Sequence, residues 1–150
     1  MEYPFSRAAQ YAIRALIHLA GLEPGTAARQ SEVAEAIQAP LPYLSKLLAL
    51  LARAGLIHAR RGPHGGVRLA QTPDAIRLVQ IVAAVDGHSI PTGCILGLDH
   101  CDEKNPCPAH PVWSRVRRIL VNELEQKTLA EMSSRALRTE HALASAGAPA

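Results

Sequence analysis

Residues 42–70, PYLSKLLALLARAG followed at once by LIHARRGPHGGVRLA, limit the fold of this chain more than any other stretch. Leu44, Leu47, Leu48 and Leu51 recur at i, i+3, i+4 and i+7, the apolar stripe of an amphipathic helix. Pro42 suits the first helical position and Gly55 the stop. Two short extended runs then flank a turn holding Gly62, Pro63, Gly65 and Gly66, which is the pattern of a β-hairpin. Upstream, Ser31 is placed to cap a short helix that carries Glu32 and Glu35 early and ends near Gln38. Pro40 punctuates the turn between the two helices. Two short helices joined tightly, the second with Tyr43, Ser45, Lys46 and Arg53 on its open face, match a helix-turn-helix. Followed directly by a basic hairpin, that unit reads as a winged helix.

The flanking segments fit around this unit. From Ser6 to Leu22, Ala9, Ala12, Ile13, Leu16, Ile17 and Ala20 recur at helical spacing, while residues 23–30, EPGTAARQ, read as a loop. Thr72-Pro73-Asp74 opens a further helix running to Gly87, with Thr72 as cap and Pro73 at the first position. Residues 88–109 have no periodicity. Pro111 then starts a long amphipathic helix reaching Lys127. Thr128 and Glu131 are spaced as a capping box for a last short helix, TLAEMSSRAL. The expected class is mainly α with a small β-hairpin: a winged helix-turn-helix plus a long C-terminal dimerisation helix. Its parts are a DNA-binding domain over 1–87, a cysteine-rich loop over 88–109, the dimerisation and short final helices over 110–138, and a flexible tail over 139–150.

Composition narrows the function. At 150 residues, 48% apolar and 19% charged, the chain is globular and large enough for one domain with an appended arm. Aromatics at 3% leave the core to Leu, Ile, Val and Ala. A net charge of +3 permits a nucleic-acid partner. No apolar run has the length of a membrane span and the first residues lack a signal-peptide pattern, so the expected location is cytoplasmic. No nucleophile–base set or phosphate-binding loop is present, which argues against an enzyme.

In a reducing compartment, three cysteines suggest metal binding or redox sensing over a disulfide framework. All three fall in GCILGLDHCDEKNPCPAHPVW, at Cys94, Cys101 and Cys107, and His110 follows. Thiolates suit zinc, copper(I) or iron–sulfur clusters. Structural zinc sites favour close Cys pairs, whereas six residues separate Cys94 from Cys101 and five separate Cys101 from Cys107. Such gaps can wrap a larger, polynuclear cluster. His110 can complete four ligands, because imidazole replaces thiolate on iron in some clusters. The plainer readings are a surface histidine in the first turn of a helix and small buried thiols. Ligand type alone keeps zinc open.

Two surfaces remain. The wing residues Arg60, Arg61, Gly62, Pro63, His64 and Gly65 offer charge and a close backbone approach to a phosphate or a narrow groove. On the long helix, Val112, Val116, Ile119, Leu120 and Leu124 form an apolar stripe. In a chain whose winged helix already has a core, that stripe is most economically buried against a twin, giving a two-fold dimer suited to a palindromic site.

With these residues in view, the chain resembles the winged-helix iron–sulfur regulator family of IscR and NsrR, the Rrf-type repressors. The resemblance runs from about residue 6 to 135. It rests on YAIRAL, PYLSKLLALLARAGLI, RRGPHGGVRLA, the three loop cysteines and TLAEM. It implies a homodimeric transcription factor on double-stranded DNA, with an iron–sulfur cluster whose state alters DNA affinity. It implies Cys94, Cys101 and Cys107 as cluster ligands, His110 in the place of a family histidine ligand, and Arg61 in the place of the minor-groove arginine. The chain departs from the family pattern at three points. The first cysteine gap is one residue longer, Gln10 stands where some relatives use an acidic ligand, and Ser45 replaces a usual glutamate. Between the two candidates for the fourth ligand, imidazole is the stronger donor, so His110 is favoured over Gln10 and a two-iron cluster over a four-iron one. The rivals are a zinc-bound or thiol-switch regulator without a cluster and, from another class, an electron-transfer iron–sulfur protein.

Overall fold

A computed structural model of the chain describes residues 5–87, 94–98 and 104–134. The expected tail, Cys101 and the end of the last helix beyond residue 134 lie outside them. The described elements are α1 (Arg7–Ala20), α2 (Gln30–Ala36), α3 (Leu41–Arg53), β1 (Ile57–Arg60), β2 (Gly66–Leu69), α4 (Leu78–Asp86) and α5 (His110–Gln126). Residues 129–134 are also helical. This is the expected mainly helical class with one small hairpin in winged-helix order.

Ser6 caps α1, its Oγ accepting from the Ala9 N–H at 3.0 Å. The helix buries Ala9, Ala12, Ala15, Leu16 and Leu19 against α2, α3 and α4. The core is completed by Leu44, Leu48 and Leu51 of α3, Val67 of β2, and Ile76, Ile81 and Leu129. Small alanines on α1 let the helices approach closely, which suits a core almost without aromatics.

The two helix ends around the helix-turn-helix use the same device with different residues. At the end of α3, Leu56 N–H donates to the Leu51 carbonyl and Gly55 N–H to that of Ala52, both at 3.0 Å. This is a Schellman closure with Gly55 at φ 75°. At the end of α2, Ala39 N–H donates to the Ala34 carbonyl at 2.9 Å and Gln38 N–H to that of Glu35 at 3.1 Å. Here the left-handed position falls on Gln38, at φ 53°, where a side chain is disfavoured. Closure of the turn between α2 and α3 outweighs that local cost.

Pro42 and Pro111 each stand at the second position of their helices and not the first, and two other helix starts differ further from expectation. The second helix begins at Gln30 and not after a Ser31 cap, because the Glu32 carboxylate reaches back to the Arg29 N–H at 2.8 Å. The fourth begins at Leu78, not at Thr72-Pro73-Asp74. Residues 73–75 form a turn closed by Ala75 N–H on the Thr72 carbonyl at 2.9 Å. The backbone that follows is claimed from elsewhere in the chain. Leu78 N–H donates to the Lys127 carbonyl at 3.0 Å, and Leu129 N–H to the Ile76 carbonyl at 2.8 Å. Arg77 and Thr128 are thereby paired as an isolated antiparallel bridge. An extended segment satisfied by a partner strand cannot also be the first turn of a helix.

Residues 23–30, expected as a loop, contain a third backbone partner for the hairpin. Ala28 N–H donates to the Val67 carbonyl at 2.9 Å and Val67 N–H to that of Ala28 at 2.8 Å. A Cβ on Gly66 would lie 2.7 Å from the Ala28 carbonyl oxygen, so only glycine permits this approach.

The capping box at Thr128 forms as expected. Thr128 N–H donates to Glu131 Oε2 at 2.9 Å and Glu131 N–H to Thr128 Oγ1 at 3.2 Å. The Thr128 backbone N–H, then its hydroxyl, hold the Glu131 carboxyl below the usual carboxylate range, with Lys127 and Arg77 adding to the effect. A depressed folded-state pKa means the cap contributes above the ordinary carboxylate pKa and is lost as pH falls through the lower, folded value. The expectation is that Glu131→Gln lowers the melting temperature at neutral pH. The difference from wild type should shrink as pH falls below the carboxylate range, which thermal denaturation at a series of pH values checks.

Candidate nucleic-acid interface and thiol loop

The recognition surface expected from the sequence begins at the first turns of α3. Lys46 is exposed there, one turn after the exposed Tyr43. Tyr43 sets its ring edge-on to Tyr11 of α1, with centroids 5.9 Å apart and planes at 70°. Arg14 lies 5.9 Å from the Tyr11 centroid on the same helix. Tyr43 is thus braced from α1, and its place at the surface depends on two residues that the periodicity of α3 does not reveal. Ser45 is half-buried and donates its hydroxyl to Gln30 Oε1 at 2.7 Å. The hydrogen-bonding group expected to face DNA is instead engaged with α2, where it clamps the two helices of the motif together.

In the wing, Arg60, Arg61, Gly62, Pro63 and His64 are exposed and Gly65 is half-buried. Gly65 N–H donates to the Gly62 carbonyl at 2.9 Å, which closes the tip. A Cβ at Gly65 would sit 2.2 Å from the Arg60 carbonyl oxygen, so this turn is closed to any larger residue. The strand register pairs His58 with Arg68 and Arg60 with Gly66. In an antiparallel pair, opposed residues and residues two apart share a face. His58, Arg60 and Arg68 therefore form one outward strip, bordering a groove with His64 and Gly25 in which no lining residue is acidic. His58 is a basic residue that the motifs of the sequence do not single out. The signal that can find it is the period-two alternation of β1, which sets it opposite in face to buried Ile57.

The thiol loop is described at both ends. Cys94 opens a tight turn in which Gly97 N–H donates to its carbonyl at 3.0 Å and Leu96 N–H to its Sγ at 3.4 Å. Cys107 is half-exposed, and its carbonyl accepts from the His110 N–H at 3.0 Å. That bond holds Cys107 and His110 in one backbone turn at the start of α5. The His110 Nε2 lies 3.2 Å from Ser114 Oγ. The fourth-ligand rival, Gln10, is half-buried on α1 and donates its amide to the Phe5 carbonyl at 3.2 Å. Among the described residues no three His, Cys, Asp or Glu side chains gather closely enough to hold a metal ion. Cys101, the middle donor, lies outside them.

On α5 the expected stripe divides. Leu124 is 6% exposed and belongs to the chain's own core, and Leu120 packs against that core. Val112, Val116 and Ile119 are 66%, 46% and 57% exposed. The exposed part of the stripe is therefore those three, not all five. No helix among the described residues is long and apolar enough to cross a membrane.

Comparison with known proteins agrees with this geometry. Residues 5–135 match the model of the Rrf2 family, described as an iron-dependent transcriptional regulator. A relative in Haemophilus influenzae, described as an HTH-type transcriptional regulator, is 31% identical over 123 residues, covering 82% of this chain and 81% of its own. One in Aquifex aeolicus, of the same description, is 28% identical over 130 residues, covering 85% and 90%. Among solved structures, CymR, the global cysteine regulator of B. subtilis, superposes with a TM-score of 0.74 at 25% identity, covering 90% of this chain and 98% of its own. IscR of T. potens superposes with a TM-score of 0.72 at 26% identity, covering 91% and 88%.

The wing and α3 should separate in a binding titration. Arg61→Ala is expected to weaken binding to specific and unrelated duplexes alike and to reduce the salt slope by about one. Lys46→Ala should change the ranking of sequences if its ammonium reaches base edges. Fluorescence anisotropy over a range of salt concentrations measures both, and an unchanged slope removes Arg61 from the DNA contacts.

Proposed function

The chain belongs to the Rrf2 family of transcriptional regulators, and from that premise we propose that it is a homodimeric repressor whose affinity for a palindromic operator is gated by an iron–sulfur cluster. One observation carries the reading: the chain keeps all its cysteines in the loop that ends at His110, the first residue of its longest described helix. The proposed ligands are Cys94, Cys101, Cys107 and His110. Their donor chemistry fits the group: thiolates with one imidazole, two of the four tied into a single turn by the Cys107–His110 backbone bond. A mixed set of this kind favours a two-iron cluster. When bound, the cluster supplies a reversible one-electron couple that is open to oxidants and nitric oxide.

The chain's own residues provide the coupling path. The loop ends in α5, whose exposed Val112, Val116 and Ile119 would meet the twin helix. The far end of α5 is bonded through Lys127 and Leu129 to residues 76–78, which start α4. In turn α4 packs on α1 and α3, the helix carrying Tyr43 and Lys46. A change in how two α5 helices pair therefore alters the spacing of two recognition helices, and spacing decides the fit to a two-fold operator. DNA contacts are proposed for Tyr43, Lys46 and the wing from Arg60 to Gly65. Ser45 is proposed to act there through its clamp on Gln30.

A second reading draws on the likeness to CymR, a cysteine regulator. Cys94 and Cys107 are only half-buried, and accessible thiols can switch by oxidation without a cluster. Anaerobic purification decides between the two. Visible absorbance with stoichiometric iron and sulfide, lost in a Cys94/Cys101/Cys107→Ser variant together with roughly a tenfold or larger change in operator affinity, supports cluster gating. Colourless protein whose affinity responds to peroxide and thiol reductant supports the thiol switch. The dimer has its own test. Ile119→Asp places an unpaired charge in an apolar seam at a cost on the order of several kcal/mol, so sedimentation should show folded monomer. An intact dimer removes this face from the interface.

A further inference from the structure

We propose that Ser114 is a positioning residue for His110, selecting which ring nitrogen faces the cluster; this rests on the ligand set proposed for the thiol loop. The observation is the 3.2 Å approach of Ser114 Oγ to His110 Nε2, between two half-buried residues one helical turn apart on α5.

A histidine ligand is a neutral imidazole with one N–H and one lone pair, and the partner of the N–H decides which nitrogen keeps the lone pair. Here the Ser114 hydroxyl lies beside Nε2. Accepting a hydrogen bond from Nε2–H leaves the lone pair on Nδ1. Covalent geometry places Nδ1 next to Cβ, hence nearer the backbone turn in which His110 N–H is bonded to the Cys107 carbonyl at 3.0 Å. The nitrogen released for iron is thus the one on the backbone side of the ring. A serine inside a helix commonly bonds back to the carbonyl four residues earlier. In this helix the hydroxyl meets the side chain of that same residue instead. His110 is thereby fixed twice, at its backbone by Cys107 and at its ring by Ser114.

The consequence is electronic as well as geometric. An imidazole whose N–H has an acceptor is a better donor to iron. Ser114→Ala removes the acceptor and frees the ring, so the cluster should be lost about tenfold faster and its midpoint potential should move to a more positive value. Ser114→Thr keeps the hydroxyl and should restore both.

The experiment uses the full-length protein, anaerobically reconstituted, with wild type, Ser114→Ala, Ser114→Thr and His110→Ala compared. The readouts are nitrogen hyperfine coupling in the reduced cluster, midpoint potential and cluster half-life. In parallel, nitrogen-15 spectra of the cluster-free protein report the His110 tautomer. The expected result is an Nε2–H tautomer in wild type and threonine variant, a tautomer mixture in the alanine variant, and altered coupling and potential in the alanine variant alone. If His110→Ala abolishes the nitrogen coupling but Ser114→Ala changes neither coupling, potential nor half-life, the positioning role is wrong and the ligand set stands. An Nδ1–H tautomer in the cluster-free protein overturns the positioning role in the same way. If His110→Ala leaves the coupling untouched, or no cluster forms at all, the ligand set fails and the role of Ser114 falls with it.

Discussion

Two backbone hydrogen bonds between residues 76–78 and 127–129 hold the rest of this structure to a common frame. Leu78 N–H on the Lys127 carbonyl and Leu129 N–H on the Ile76 carbonyl fasten the end of α5 to the start of α4. Ile76 and Leu129 are both fully buried, so the two bonds lie over apolar side chains and are shielded from water. Arg77 reinforces them from outside, its Nη1 donating to the Gln126 carbonyl at 2.9 Å. Without this splice α5 would be held to the rest only by the thiol loop and by the packing of Leu120 and Leu124. With it, a helix that presents an exposed apolar face is tied to the helices of the winged-helix unit.

The helix-turn-helix and wing are organised by contacts of similar modesty. The reciprocal bonds between Ala28 and Val67 dock the wing against the segment leading into α2. The Ser45–Gln30 hydrogen bond then joins α2 to α3, and the Tyr11–Tyr43 edge contact joins α3 to α1. The first of these contacts is buried and the other two lie at the edge of the surface, so the charged groups beyond them, Lys46, Arg60, Arg61 and the His58–Arg68 strip, are carried on a braced platform. On the proposed function, little ordering entropy would remain to be lost on binding a duplex.

The thiol loop contrasts with both. Its described parts are two tight turns, one on Cys94 and one joining Cys107 to His110, and the apolar side chains of Ile95, Leu96 and Leu98 stand exposed beside the first of them. Under the function proposed above, a group bound by the thiols would supply contacts that these exposed side chains do not.

The sequence by itself determined the winged-helix order, because leucine spacing in α3, the glycine stop at Gly55 and the Gly/Pro-rich tip at residues 62–66 are local signals acting over a few residues. It also determined the Thr128–Glu131 cap and the gathering of the cysteines, both legible as spacing. What it could not determine were the choices made by distant partners. Thr72-Pro73-Asp74 has the chemistry of a helix start, yet the helix waits until Leu78 because residues 127–129 occupy the intervening backbone. EPGTAARQ has loop composition, yet Ala28 pairs with Val67. Ser45 has the position of a DNA contact, yet Gln30 takes its hydroxyl. Leu120, Leu124 and Ile119 share one periodic stripe, yet only the packing of α4 decides that Leu124 faces inward and Ile119 outward. In the backbone and packing cases local propensity offers about a kilocalorie per mole, whereas leaving a buried backbone group unpaired costs about 1–3 kcal/mol and exposing a buried leucine about 1.5–3 kcal/mol.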